Sequence, residues 1–168
     1  MIATGLASAC GPFHVVHGPD SCQVATDVNN DFEGPVRGNL FAYDSGFRAV
    51  GLAKSKKATY LTVFWATAGV VNARVEEGAK LEVALQGGEI LELTVRKTAN
   101  PVAGANGSGV FTRWNTEAEL DDGKLAKLAE HGVTSIRTTL GGNEFTQKVF
   151  ADPSARLQTL AIRLGGAK

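Results

Sequence analysis

Lys80-Leu-Glu-Val-Ala-Leu-Gln-Gly-Gly-Glu-Ile-Leu-Glu-Leu-Thr-Val-Arg-Lys97 is the stretch that decides the fold. Leu81, Val83 and Leu85 alternate with Glu82, Ala84 and Gln86. Leu91, Leu93 and Val95 alternate with Glu92, Thr94 and Arg96. A period of two marks a strand with one buried face, and Gly87-Gly88 marks the turn between two such strands. Residues paired across a hairpin share a face. A two-residue loop at Gly87-Gly88 would pair Val83 with Glu92 and put a carboxylate on the apolar side. A three-residue loop of Gln86, Gly87 and Gly88 pairs Val83 with Leu91 and Leu81 with Leu93. The second register is expected, with Gly88 in the left-handed conformation.

The rest of the chain reads as additions to this hairpin. Its 168 residues suit one domain with a tail. Hydrophobic residues make up 43% and charged residues 20%, enough apolar material for a core. Seventeen Lys plus Arg balance seventeen Asp plus Glu. That neutrality argues against a nucleic-acid partner held by counterion release, which needs a basic surface. Twenty glycines in a chain with strand alternation favour a turn-rich β protein. No apolar run reaches the length of a membrane-spanning helix.

Outward from the hairpin, Val36–Tyr43 and Phe47–Ala53 are expected strands, separated by a turn at Asp44-Ser45-Gly46. Lys54, Lys56 and Lys57 make a solvated link. Ala58–Ala68 is nearly continuous in β-branched and aromatic residues, which fits a central strand covered on both faces with Trp65 in the core. Val70–Val75 reads as a further short strand, and Thr98–Gly109 as a flexible loop. Val110–Leu120 resumes as a strand. Asp121 or Asp122 caps a helix running to about His131, with Leu125, Leu128 and Ala129 as its buried stripe and Gly132 as its stop. Val133–Phe150 is a second hairpin. Its even-numbered Ile136, Thr138 and Leu140 must face its odd-numbered Phe145 and Val149, so it needs an even loop, which Gly141-Gly142 supplies. Asp152-Pro153 starts a last helix whose Leu157, Leu160, Ala161 and Leu164 lie against the sheet. The expected class is α+β: mainly antiparallel strands, in a sandwich or a half-barrel of hairpins, with two helices in the C-terminal part packed on the sheet.

Residues 1–30 differ in kind and read as a signal remnant, tether or irregular arm, ahead of a single β-rich domain at 31–168. Leu6-Ala7-Ser8-Ala9-Cys10-Gly11 resembles the end of a bacterial lipoprotein signal peptide, in which small residues precede a cysteine that takes lipid. Only nine residues precede Cys10 and none is basic, short of a full signal. Cys10, His14, His17 and Cys22 are a sound donor set for tetrahedral zinc, but they lack the paired Cys-x-x-Cys spacing of common zinc modules. No metal and no cofactor is expected; these four residues are the candidates should a metal bind. A Cys10–Cys22 disulfide is the alternative in an oxidising compartment.

The remaining polar residues assemble no catalytic set. The three histidines, His14, His17 and His131, sit on the arm and at a helix end. Glu76-Glu77 and Asp121-Asp122 are adjacent pairs, which point to opposite faces of a strand or cap a helix. The chain is therefore expected to be no enzyme.

From Asp31 onward, Asp31-Phe32-Glu33-Gly34, the Val75–Val95 strand–turn–strand, Leu125–His131 and Val133-Thr134-Ser135-Ile136-Arg137 follow one another in an order that resembles a loose family of small uncharacterised bacterial proteins, often secreted or lipid-anchored. The resemblance implies an antiparallel-rich α+β fold and no established activity. The Ala/Gly-rich loop after Thr98 departs from it. The functional expectation is a non-enzymatic cell-envelope module, binding or structural, secreted or lipid-anchored, meeting an unknown protein or small ligand and touching a membrane only through lipid on Cys10. The alternatives are a cytoplasmic location and a β protein holding an apolar small molecule between sheet and helix, near Trp65 or Trp114.

Overall fold

The structure is a computed structural model that describes residues 23–25, 28–30, 34–43, 48–54, 57–107 and 109–166. Among these described residues, eleven strands and two helices follow in order. They are β1 (Gln23–Ala25), β2 (Val28–Asn30), β3 (Gly34–Tyr43), β4 (Arg48–Lys54), β5 (Thr59–Ala68), β6 (Lys80–Leu85), β7 (Ile90–Thr94), β8 (Val102–Asn106), β9 (Gly109–Leu120), α1 (Asp122–Glu130), β10 (Val133–Leu140), β11 (Asn143–Lys148) and α2 (Ala151–Gly166). A seven-stranded sheet runs β1-β3-β4-β5-β9-β8, with β2 also on β3. A four-stranded sheet runs β11-β10-β6-β7. Every pairing is antiparallel. The α+β class and its mainly antiparallel strands are as the alternation predicts.

Both hairpins take the expected registers. Val83 pairs with Leu91 and Leu81 with Leu93. Leu85 N–H donates to Glu89 O and Gly88 N–H to Leu85 O, so the loop is Gln86-Gly87-Gly88. Both glycines, not Gly88 alone, have positive φ, at 98° and 91°. Leu140 pairs with Asn143 across Gly141-Gly142. Positive φ at both positions is what a two-residue hairpin turn of the primed kind needs.

Alternation then builds the core. Leu61, Val63 and Trp65 of β5 face Ala118, Thr116 and Trp114 of β9 in register, and Val50 and Leu52 of β4 join them from the other side. Against this face lie Leu81, Val83, Leu91, Leu93 and Ile136 of the smaller sheet, all buried in one cluster. The sheets meet at a corner where Val95 bridges Ala118 and Arg96 N–H donates to Glu117 O. Trp65 and Trp114 are 0% and 1% exposed. Each indole N–H is satisfied, Trp65 on Thr116 Oγ1 and Trp114 on Ala73 O, both at 2.8 Å. Phe145 of β11 packs against both rings, with centroids 5.7 and 6.1 Å away. Trp65 is thus a core residue, as expected, and both indoles meet a strand rather than a helix.

The helices pack together, α2 also against β4, β3 and β10 and α1 against β9. Asp121 caps α1 by accepting from Lys124 N–H at 2.8 Å, and Leu125 and Leu128 are its buried residues. Gln158 of α2 donates to the carbonyls of Ala129 and Glu130, satisfying the C-terminal end of α1. Lys54 likewise donates to Leu164 O near the end of α2, where the helix dipole favours a cation.

Three expectations need correction. Val70–Val75 is no strand: it crosses the end of the sandwich, makes a single bridge from Val75 to Ala99, and is held by Thr112 Oγ1 and Trp114 rather than by a ladder. Thr98–Gly109 is not a loop throughout, because it contains β8. The last helix starts at Ala151, before Asp152: Phe150 O takes the first helical bond from Ser154 N–H, which places Asp152 and Pro153 inside the first turn. β1 and β2, which lie within residues 1–30, pair with β3.

Candidate interaction surface

Among the strands whose burial is described, β8 is the most exposed. It pairs with β9 on one side, from Asn106↔Gly109 to Val102↔Arg113, and ends the sheet on the other. Backbone polarity along it follows from one bond. Val110 O accepts from Gly69 N–H, on the β5 side of β9. Backbone direction alternates along an antiparallel strand, so Gly109, Phe111 and Arg113 point their amides at β8. Their partners Asn106, Gly104 and Val102 point back. Ala103 and Ala105 therefore turn N–H and C=O outward, off the edge of the sheet.

This edge carries no charge. Val102-Ala103-Gly104-Ala105-Asn106 has neither lysine nor carboxylate, and Val102, Ala103, Ala105 and Asn106 are exposed. Around it stand three exposed valines: Val70 (64%), Val102 (51%) and Val110 (49%). Gly104 is the one partly covered position. Phe111 lies over it so closely that a Cβ at residue 104 would sit 2.6 Å from the ring. Glycine here lets an aromatic ring from β9 lie across the edge strand.

The other sheet treats its surface differently. The edge strand β11 carries exposed Glu144 and Lys148, a common guard against strand addition. Across the solvent face runs a chain of ion pairs. Lys80 meets Glu92 at 2.5 Å and Glu82 at 3.0 Å, and Arg137 meets Glu82 at 2.6 Å and Glu144 at 3.3 Å. The hydrogen bond from Arg137, then that from Lys80, holds the Glu82 carboxyl below the usual glutamate range. Lys80 and Arg137 are raised in turn, chiefly by hydrogen bonds to Glu92 and to Glu82 respectively. These charges serve one another.

A groove of about 660 Å³ lies between α1 and α2, lined by Ala126, Ala129, Ile162 and Leu164 together with Lys54, Asp122 and Glu130. Ile162 is exposed there.

Cys10, His14, His17 and Cys22, the residues the sequence offers for lipid, metal or disulfide, lie outside the described residues. Among the described residues no group of three or more His, Cys, Asp or Glu is placed to hold a metal. His131 is the C-cap of α1, exposed, with Nε2 3.9 Å from Glu130, a surface position at a helix end. No helix among the described residues is long and apolar enough to cross a membrane. Sequence reasoning missed β8. The signal that could have found it is Gly107-Ser108, a dipeptide that reads as a two-residue hairpin loop. No protein family, no curated protein and no solved structure matches the chain.

Proposed function

We propose that the chain is a non-enzymatic cell-envelope module that binds a protein partner through the edge of its larger sheet. The observation that carries the reading is the uncharged, exposed strand β8, whose outward amides and carbonyls can accept a further strand. Main-chain bonding of this kind gives affinity without a charged surface, which suits a chain of zero formal charge. Leu6-Ala7-Ser8-Ala9-Cys10-Gly11 supplies the envelope part: lipid on Cys10 would be the only membrane attachment. The resemblance to small secreted or lipid-anchored bacterial domains points the same way.

Metabolic labelling of the full-length native gene product with a fatty acid tests this. Label is expected on the protein and should be lost in Cys10→Ser. A product that takes no label and stays in the cytoplasm refutes the envelope assignment.

A second reading, a β protein holding an apolar small molecule, is favoured by the α1–α2 groove and its exposed Ile162. A thermal-shift screen against lipids and sugars separates the two, since a ligand that binds only the folded state raises its melting point.

A further inference from the structure

We infer that the strand added to β8 is β8 of a second copy, so that two chains join edge to edge in a two-fold dimer with Gly104 on the axis. The inference rests on the reading of β8 as the contact surface and names its partner.

Self-complementarity carries it. An isologous contact must present the same patch on both sides, and two antiparallel strands in one sheet satisfy this when a residue pairs with itself. Only certain registers also match the backbone polarity. The outward-facing groups are those of Ala103 and Ala105. Setting Gly104 opposite Gly104 places Ala103 opposite Ala105 of the second copy, and Ala105 opposite its Ala103. Each such pair exchanges N–H and C=O in both directions, for about four backbone hydrogen bonds across the axis.

The central pair is then of the non-hydrogen-bonded kind, in which Cα atoms approach most closely, to about 4.5 Å. Glycine stands there. On the face above it each copy brings Phe111, already leaning over its own Gly104, so the two rings meet beside the axis. Val102 falls opposite Asn106 of the second copy on the same face. No like charges are brought together, because neither strand has any.

The test uses the full chain. Sedimentation over a wide concentration range should show a monomer–dimer equilibrium. Hydrogen exchange at the Ala103 and Ala105 amides should slow as dimer forms, while the Val102 and Gly104 amides, already bonded to β9, should change little. Ala103→Pro removes an outward N–H and no bond to β9, so it should keep the monomer fold and weaken dimerisation at least about tenfold. If Ala103→Pro does not fold, Ala105→Lys puts a cation beside the axis in both copies and should have the same effect. A chain that stays monomeric at all concentrations overturns the inference. So does a dimer that leaves the Ala103 and Ala105 amides exchanging. A photo-crosslinking side chain at position 102, used in the native host, separates this from the broader reading. An adduct of twice the chain mass supports self-pairing. An adduct of another mass refutes self-pairing and keeps β8 as a binding edge, and no adduct refutes both.

Discussion

Gly132 and Ser154 make a pair whose energetics can be worked in advance. Gly132 joins α1 to β10 and accepts from Gln86 N–H at 2.7 Å. It is not among the positive-φ glycines, so its backbone suits alanine. Space does not: a Cβ there would lie 2.8 Å from Ser154 Oγ and 2.9 Å from Gln86 Nε2. Gln86 is exposed and can swing away. Ser154 is 3% exposed, on α2, and its hydroxyl has no hydrogen-bond partner among the described residues. Overpacking of this kind costs about 1–3 kcal/mol, and replacing glycine restricts the unfolded chain and returns about 0.4–1 kcal/mol. Gly132→Ala is therefore expected to destabilise by about 0.5–2 kcal/mol. Ser154→Ala removes a buried hydroxyl with no hydrogen-bond partner among the described residues, and should be neutral or stabilising by up to about 1 kcal/mol. In the double variant the obstructing oxygen is gone, so the clash goes with it and stability should return to that of the parent or above. The cycle should then show a coupling of about 1–3 kcal/mol between the two sites. Urea unfolding followed by fluorescence of the buried Trp65 and Trp114 reads all four proteins. A harmless Gly132→Ala, or additive single changes, would show that α2 does not press on the α1–β10 junction as described.

Two further tests address the turn at the opposite end and the charged face. Gly141 and Gly142 both have positive φ, but only Gly141 faces a neighbour, with a Cβ placed 2.7 Å from Ala73 Cβ. Gly142→Ala should cost the left-handed strain alone, about 1–2 kcal/mol, while Gly141→Ala adds the contact and should be the worse by about 1 kcal/mol or more in the same denaturation assay. Glu82 titrates below its usual range because Arg137 and Lys80 hold its anion. A lowered carboxyl contributes stability that is present above its unfolded pKa and lost as pH falls through the folded one. Glu82→Gln should accordingly lower the melting temperature most at neutral pH, with the gap to the parent closing in acid and shrinking with added salt. A gap that is constant through the acid range would remove Glu82 from the acid limb of the stability curve.

What could be read from the chain followed from how strongly one face is buried. The Lys80–Lys97 register was legible because a shift of one residue would have put Glu92 opposite Val83. The second hairpin was legible for the same reason, with Ile136 and Phe145 fixing its parity. Even so, the smaller sheet places Gln147 opposite Ile136 on the buried face, a polar residue where alternation alone asks for an apolar one; its Nε2 reaches Phe64 O across the sheets. Val70–Val75 has the apolar content of a strand but not the pairing of one. Its residues cover the end of the core and take their bonds from Thr112 and Trp114, contacts of long sequence separation that no local pattern encodes. β8 was illegible for the opposite reason. With most of its residues exposed and Gly104 beneath Phe111, it has no buried face and so no alternation.

That lack of pattern bears on what β8 is for. A strand that buries no side chains adds little hydrophobic stabilisation, yet it extends β9 past the point where the second sheet ends at the Val95–Ala118 bridge. The edge strand β11 of the smaller sheet is guarded: it has Glu144 and Lys148, and its sheet's solvent face is threaded with ion pairs. An edge left uncharged beside this is a hazard unless something limits it. Pro101 is such a limit. Outward-facing positions on this edge recur at every second residue, so Pro101 follows Ala103 and Ala105 in the series and has no N–H to offer. Asn106-Gly107 ends the strand on the other side. The usable edge is thus confined to two alanines around one glycine, short enough to recruit poorly into an open-ended stack and symmetric enough to be used up by a single twin. Once two copies have joined, neither has this edge left to offer, and the assembly closes at two.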